Sequence, residues 1–184
     1  MARGQNIETR TEESRDDWCT SEEGLAPVIA YGEIILDPCS GPHSIVPARR
    51  ALYENSKPDG LTADWAAIVA AQKLERTPLI FINPPYKNTE QWVDKIRSYY
   101  LNDAHPFDTI LLIPVRTDTA LFHTIAAVSD VLCFRKGRLK FALDGVEKKG
   151  PRHANLYVGW VRDVVRFHEC FDKVGTVRRA SAPF

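Results

Sequence analysis

The chain has 184 residues, of which 44% are hydrophobic and four are tryptophan. This length and composition are typical of one globular domain with a buried core, and they exclude a disordered or fibrous chain. Lysine plus arginine equals aspartate plus glutamate at 24 each, so net charge by itself indicates no nucleic-acid partner. Residues 135–152 nevertheless carry seven bases and two acids, which is either a phosphate-contacting patch or an ordinary solvated hairpin.

The four cysteines show no paired spacing, and His168-Glu169-Cys170 is the nearest approach to a metal cluster along the sequence. Because a second ligand pair is missing, we expect no zinc site and no metal cofactor. The sequence shows no signal-peptide pattern and no apolar run of about 20 residues. We therefore expect reduced thiols, no membrane partner and a cytoplasmic protein.

Apolar periodicity predicts alternating strands and helices with a strand-rich end. In chain order we predict a flexible arm (1–16), a helix (21–30), a strand (32–36), mostly irregular chain (40–60), a helix (63–76), a strand (78–82), a helix from Asn88, a strand (109–113), a helix with Leu121, Phe122 and Ile125 inward, and strands over 131–134, 139–143 and 156–160. Thr20 with Glu23, and Asn88 with Gln91, have the spacing of helix caps. The pattern favours an α/β sheet, mostly parallel with an antiparallel edge, in one domain over 17–172 with a tail at 173–184.

Polar turns follow three of the predicted strands, at 37–41, 83–86 and 116–119. In open α/β sheets, ligands bind beyond the carboxyl ends of the strands, near a switch in strand order. We therefore expect the three turns to contribute to one site.

The turn Asn83-Pro84-Pro85-Tyr86 has the residues needed to activate an amino group on a planar base. The lone pair of such a nitrogen is delocalised into the ring. If the Asn83 side-chain oxygen and the Pro84 carbonyl accept its two hydrogens, the lone pair is freed for attack on a sulfonium methyl. Tyr86 can stack on the base, a contact worth roughly 1–3 kcal/mol. The alternatives are a rigid structural turn or a proline-rich segment bound by a partner.

Two acidic turns are candidate cofactor sites. Asp37 begins the segment Asp37-Pro38-Cys39-Ser40-Gly41, where the carboxylate can accept from amino or hydroxyl groups and the small residues permit close backbone approach. Asp59 precedes Gly60 and offers a second carboxylate. A plain turn is the alternative interpretation of each.

Taken together, these residues resemble the phage-type adenine DNA methyltransferases of the Dam family. The matching patches, in order, are 17–20, 36–40, 59–61 with Trp65, 83–86, 114–119 with Phe122 and His123, and 137–141. They span about residues 17–160, and the later ones are the more specific.

The resemblance implies a Rossmann-like methyltransferase sheet, S-adenosylmethionine as methyl donor, and the N6 amine of adenine in double-stranded DNA as acceptor. It also implies base flipping, because that amine is inaccessible inside a duplex. Catalysis is assigned to Asn83, Pro84, Pro85 and Tyr86. The implied cofactor residues are Thr20, Asp37, Cys39, Ser40 and Asp59, and the implied DNA-binding residues are Arg116, Asp118, Arg138 and Lys140. The resemblance also implies a role in marking phage DNA against host restriction, in the host cytoplasm if the protein is phage-encoded.

The sequence departs from the family pattern in three places. Ser21 replaces the usual proline after Thr20, no Phe-x-Gly-x-Gly loop follows the first strand, and residues 152–155 are unusually polar. An amino-group methyltransferase acting on RNA or protein, and a non-catalytic DNA-binding protein on a decayed scaffold, therefore stay open. Sheet-end salt bridges are the alternative for Arg116 and Arg138, His123 is expected to be structural, and no oligomer is predicted.

Overall fold

A mixed sheet of seven strands forms the centre of the fold. The computed structural model describes residues 19–53, 58–100, 107–143, 146–148 and 154–180. The strands are β1 (Cys19–Thr20), β2 (Ile34–Ser40), β3 (Arg50–Tyr53), β4 (Leu79–Ile82), β5 (Asp108–Pro114), β6 (Val131–Arg135), β7 (Phe141–Leu143), β8 (Val146–Lys148), β9 (Asn155–Trp160) and β10 (Gly175–Arg179). The helices are α1 (Glu22–Tyr31), α2 (Trp65–Ala70), α3 (Thr89–Tyr100), α4 (Ala120–Val128) and α5 (Val164–Phe171).

The strand order is β10-β6-β9-β5-β4-β2-β3, while β1, β7 and β8 form a separate small sheet. β3, β2, β4 and β5 are parallel neighbours. β9 lies antiparallel between β5 and β6, and β10 is antiparallel to β6. The predicted α/β class is confirmed, and the antiparallel part is larger than one edge strand.

Helices cover both faces of the sheet because its central strands are apolar on both sides. All four residues of β4 are buried, as expected for a strand between two helical layers. Ile80 and Ile82 pack toward α2, α3 and α4 on one face, while Phe81 packs toward α1 and α5 on the other. None of the helices in the described ranges is long and apolar enough to cross a membrane.

The predicted cap at Thr20 is wrong. Thr20 is extended and pairs with Phe141 of the small sheet, and Ser21 is the N-cap residue of α1, without a side-chain capping bond. The predicted cap at Asn88 is also wrong, because this residue ends a 3₁₀ turn (Tyr86–Asn88) and its Oδ1 lacks a hydrogen-bond partner among the described residues. Tertiary contacts override the local signal at both positions.

Two strand boundaries differ from prediction because the local signals are weak. β2 continues through Pro38. The register with β3 shifts between Asp37 and Ser40, and such an irregularity can accommodate proline, which has no amide hydrogen to donate. β3 lies within the segment expected to be irregular, and as a short edge strand it buries only Leu52.

The helical and C-terminal regions also differ. α2 covers less than half of the predicted helix. α5 and β10 had no clear sequence pattern; β10 lies within the segment assigned to a tail, pairs through its backbone and buries only Val177. Residues 1–16, with the arm assigned to them, and residues 17 and 18 of the first matching patch lie outside the described residues.

The turn at Asp59-Gly60 packs against the end of β2. A Cβ added to Gly60 would lie 1.7 Å from the Pro38 carbonyl oxygen and 2.7 Å from the Trp92 ring. Trp65 donates from its ring nitrogen to the Gly60 carbonyl at 2.8 Å. The absence of a side chain at residue 60 thus permits the turn to reach the edge of the sheet.

We expect Gly60→Ala to lower the free energy of unfolding by about 2–3 kcal/mol, because backbone atoms of β2 cannot give way to the new methyl group. Gly32→Ala is the matched control, since its Cβ would meet only Leu79 at ordinary contact distances of 3.8 Å and 3.9 Å. Urea unfolding of both variants measures the difference. Equal stability of the two would show that the close approach at Gly60 is not a constraint.

Candidate active site at the carboxyl ends of β2 and β4

A crevice is expected where the strand order reverses around β2. The chain passes from β2 to β3 on one side and then places β4 on the other side, so the two strands connect onward in opposite directions. In open α/β sheets the carboxyl ends at such a position are the usual place for a ligand. Asp37 to Ser40 end β2, and Asn83 follows β4 directly.

The tetrad after β4 changes from buried to exposed along its length. Pro84 is buried and Tyr86 is 39% exposed. Partial burial still raises the pKa of Tyr86 to about 12, so its hydroxyl is neutral near pH 7. The ring is therefore an uncharged and partly exposed aromatic surface beyond the end of β4.

Asn83 is held by a residue distant in sequence. Its Nδ2 donates to Thr20 Oγ1 at 3.0 Å, and Thr20 is only 3% exposed. Because this contact uses the amino side of the carboxamide, the carbonyl oxygen Oδ1 is left as its hydrogen-bond acceptor.

Asp37 is a buried carboxylate at the end of β2. Its oxygens accept from the Cys39 amide at 3.2 Å and the Ser44 hydroxyl at 3.4 Å. Burial nevertheless raises the pKa of Asp37 to about 6, because these hydrogen bonds offset only part of the desolvation. This carboxylate would be stabilised by a further donor or a nearby positive charge.

Cys39 lies between Asp37 and the tetrad. Burial, followed by the nearby Asp37 carboxylate, raises the pKa of the Cys39 thiol well above its ordinary value, and the backbone amide of Asn83 acts weakly in the opposite direction. The thiol is therefore protonated and is not a nucleophile. None of the four cysteines forms a disulfide bond with another residue that the structure describes.

Asp59 shapes its own turn with one of its two oxygens. Oδ1 accepts from the amides of Leu61 and Thr62, both at 2.9 Å, and from the Thr62 hydroxyl at 3.1 Å. The hydrogen bonds from Thr62 are the main cause that lowers the pKa of Asp59. The turn interpretation is thus correct for Oδ1, while Oδ2 takes no part in these bonds.

The structure brings the predicted cofactor residues to one edge of the sheet. Gly60, next to Asp59, abuts Pro38, and a Cβ added to Gly41 would lie 3.8 Å from Cys19 Sγ. β1 therefore lies across the ends of β2 and β4, with Cys19 near one and Thr20 bonded to the turn after the other. The contact between Thr20 and Asn83 had no sequence signal, because it joins residues 63 positions apart.

The predicted DNA-binding residues lie on exposed loops. Arg116 Nε is 3.6 Å from Asp118 Oδ1 just after β5, and both side chains are more than half exposed. Such a surface pair contributes little to stability. Arg138 and Lys140 are exposed on either side of buried Leu139, ahead of β7. His123 is an exposed residue of α4 whose ring contacts Phe122.

A second cavity, of about 670 Å³, lies at the opposite edge, by the amino ends of β4 and β5. Its charges are largely paired. Arg49 bonds Glu33, Arg162 bonds the buried Asp108, and Arg166 donates to carbonyls at the end of α1. None of the predicted site residues lines this cavity.

The described ranges contain no group of three or more His, Cys, Asp or Glu residues able to hold a metal ion. The mixed α/β sheet thus places the Asn-Pro-Pro-Tyr turn and the buried Asp37 at the ends of neighbouring strands. The family model for DNA N-6-adenine-methyltransferase (Dam) matches residues 8–161. The chain therefore belongs to the Dam family of adenine-N6 DNA methyltransferases. No curated protein and no solved structure matches it in the corresponding comparisons.

Asp37→Asn tests the cost of the buried carboxylate. The pKa of Asp37 is about 6 in the folded protein, above its ordinary value of 3.8. As pH rises between these two values, ionisation of Asp37 therefore lowers the free energy of unfolding, and the full loss of stability is present above about pH 6. We expect the variant to be more stable than the original by about 2 kcal/mol near pH 7 and by about zero near pH 4.

Urea unfolding at both pH values measures this difference. Asp118→Asn is the control, because its carboxylate is 74% exposed and its difference from the original should stay within about 0.5 kcal/mol. A stabilisation by Asp37→Asn that is the same at both pH values would rule out the raised pKa as its cause.

Proposed function

We propose that this protein transfers a methyl group from S-adenosylmethionine to the N6 amine of an adenine flipped out of double-stranded DNA. Family membership supports the reaction class. The observation that carries the proposal is the position of Asn83, directly after a buried strand at the switch in strand order, with Oδ1 as its remaining acceptor. The donor supplies an electrophilic methyl group on a sulfonium sulfur.

The end of β2 fits such a donor. Asp37 is a desolvated carboxylate that gains from a positively charged or hydrogen-bonding ligand, which supports a role toward the donor's amino or hydroxyl groups. Asp59 Oδ2 is a second acceptor across the crevice, on the turn that packs against Pro38. Ser40 and Cys39 complete this side of the site.

On the acceptor side, the residues after β4 orient and polarise the amine. Asn83 Oδ1 and the Pro84 carbonyl accept its two hydrogens, so electron density on nitrogen is available when the methyl arrives in line. The proton that leaves becomes acidic only as the bond forms, so no strong base is required. Tyr86 supplies the face on which the base stacks.

Substrate binding requires contacts with phosphate outside the crevice. Arg116, Arg138 and Lys140 are exposed cations on loops, and we assign them to the DNA backbone, with Asp118 setting the direction of Arg116. Binding through such residues weakens as salt is added, because bound cations are released from DNA.

The primary test is incubation with labelled S-adenosylmethionine and unmodified duplex DNA, followed by mass spectrometry of the nucleosides. We expect the label on N6 of deoxyadenosine. Asn83→Ala should reduce the rate on the order of 100- to 1000-fold, since a preorganised polar contact to the reacting group is lost. Asn88→Ala is the matched control and should keep its activity, because its Oδ1 has no partner among the described residues.

Label in RNA or protein instead would redirect the proposal to another acceptor. Absence of both methyl transfer and donor binding would identify a non-catalytic scaffold. An Asn83→Ala protein that retains activity, or one that no longer folds, would remove the tetrad from its assigned role.

Tyr86 variants test stacking against a role for the hydroxyl. We expect Tyr86→Ala to lower kcat/KM for DNA on the order of 10- to 100-fold, which corresponds to roughly 1–3 kcal/mol of stacking. Tyr86→Phe and Tyr86→Trp retain an aromatic face and should lose less. If phenylalanine were as damaging as alanine, the hydroxyl and not the ring would be the important group.

A further inference from the structure

Asn83 needs a partner that fixes which side of its carboxamide faces the substrate. The oxygen and the amino group have nearly the same shape, and a half-turn of the group exchanges them. Only the oxygen can accept a hydrogen from an amine. An amide in the opposite orientation would present a donor to a donor and would oppose the proposed reaction.

We propose that Thr20 is a positioning residue that turns the Asn83 oxygen toward the acceptor amine by accepting a hydrogen bond from Nδ2; this rests on the proposed function. The 3.0 Å contact between Thr20 Oγ1 and Asn83 Nδ2 occupies the amino side of the carboxamide. The role differs from the cofactor contact that the family resemblance implies for Thr20.

Two features of the fold fix the Thr20 hydroxyl. β1 pairs Thr20 with Phe141, which holds its backbone. Its γ-methyl lies against Gly24 in the first turn of α1, where an added Cβ would be 2.8 Å from Cγ2. Since a β-branched side chain has few rotamers, confinement of the methyl also confines the hydroxyl.

This arrangement connects the catalytic turn to the small sheet. β1 pairs with β7, and the exposed cations Arg138 and Lys140 come just before that strand. The strand that orients Asn83 is thus hydrogen-bonded to a hairpin beside the proposed phosphate contacts.

The first experiment compares Thr20→Val and Thr20→Ser by single-turnover methyl transfer to DNA and by S-adenosylmethionine binding. Thr20→Val should slow transfer on the order of fivefold to tenfold, the equivalent of one hydrogen bond, with donor affinity unchanged. Thr20→Ser should recover most of this loss because it keeps the hydroxyl. Ser21→Ala is the matched control, since its hydroxyl is buried without a partner among the described residues.

A threonine hydroxyl can also donate, so a second set of variants separates orientation from general support. Asn83→Asp presents oxygen on both sides and needs no choice of orientation. In the Asn83→Asp protein, the added change Thr20→Val should slow methyl transfer about twofold or less. An equal loss of transfer rate in both backgrounds would overturn the proposal. Weaker binding of S-adenosylmethionine by the Thr20→Val protein would instead assign Thr20 to the cofactor site.

Gly24→Ala tests the confinement of the Thr20 side chain without a change at Thr20 or Asn83. The new methyl should displace the Thr20 side chain and slow transfer, and the added change Thr20→Ser should restore it by removing the opposing γ-methyl. The new Cβ would also lie 3.2 Å from Leu139 Cδ2, so recovery in the double variant supports the steric part of the proposal and an unchanged rate in Gly24→Ala contradicts it.

The side-chain amide resonances of Asn83 provide a readout that does not depend on activity. Of its two NH₂ proton signals, the one from the hydrogen bonded to Thr20 should lose its hydrogen-bonded shift in Thr20→Val and keep it in Thr20→Ser. If the original protein does not methylate DNA, the proposed function fails whatever these signals show. If it methylates DNA but neither the signals nor the transfer rates change in the Thr20 variants, only the positioning role fails.

Discussion

The structure depends on the reversal of strand order around β2. The first crossover places β3 on one side of β2 and the next places β4 on the other, so the connections diverge at the carboxyl ends of β2 and β4. Several polar segments meet there. Pro38 lies near the end of β2 and Asn83 follows β4 directly. The turn at Gly60 packs against Pro38, and Thr20 bonds to Asn83.

Buried polar groups at the end of β2 lower the stability of the folded protein. Asp37 is ionised near neutral pH although burial favours its protonated form, which opposes folding. The surrounding layers offset such a cost: Trp65 stacks with Trp92 and Tyr99, and Phe167 stacks with Phe171 on the other face. A stable frame that contains a destabilising carboxylate is the usual compromise between stability and function.

Sequence reasoning succeeded where a signal is local and strong. The apolar run before Asn83 and the helical spacing of Trp92 and Ile96 produced β4 and α3 within about a residue or two, the usual uncertainty of such boundaries. It failed at Thr20, where a capping pattern was overridden by strand pairing, and at β10, where backbone pairing needs no side-chain pattern. The Asn-Pro-Pro-Tyr turn was recognisable because it is a contiguous motif after an apolar run. Its contact with Thr20 was not recognisable, because it joins residues far apart in the chain.

The sequence by itself determined the α/β class, the family and the residues of the Asn-Pro-Pro-Tyr turn, because these depend on periodicity and on contiguous motifs. Only the tertiary structure decided which of those motifs are neighbours. It joined Thr20 to Asn83, brought Gly60 against Pro38 and placed Arg116 on an exposed loop. Contacts between distant residues follow from strand order and packing, which no short segment of the chain specifies.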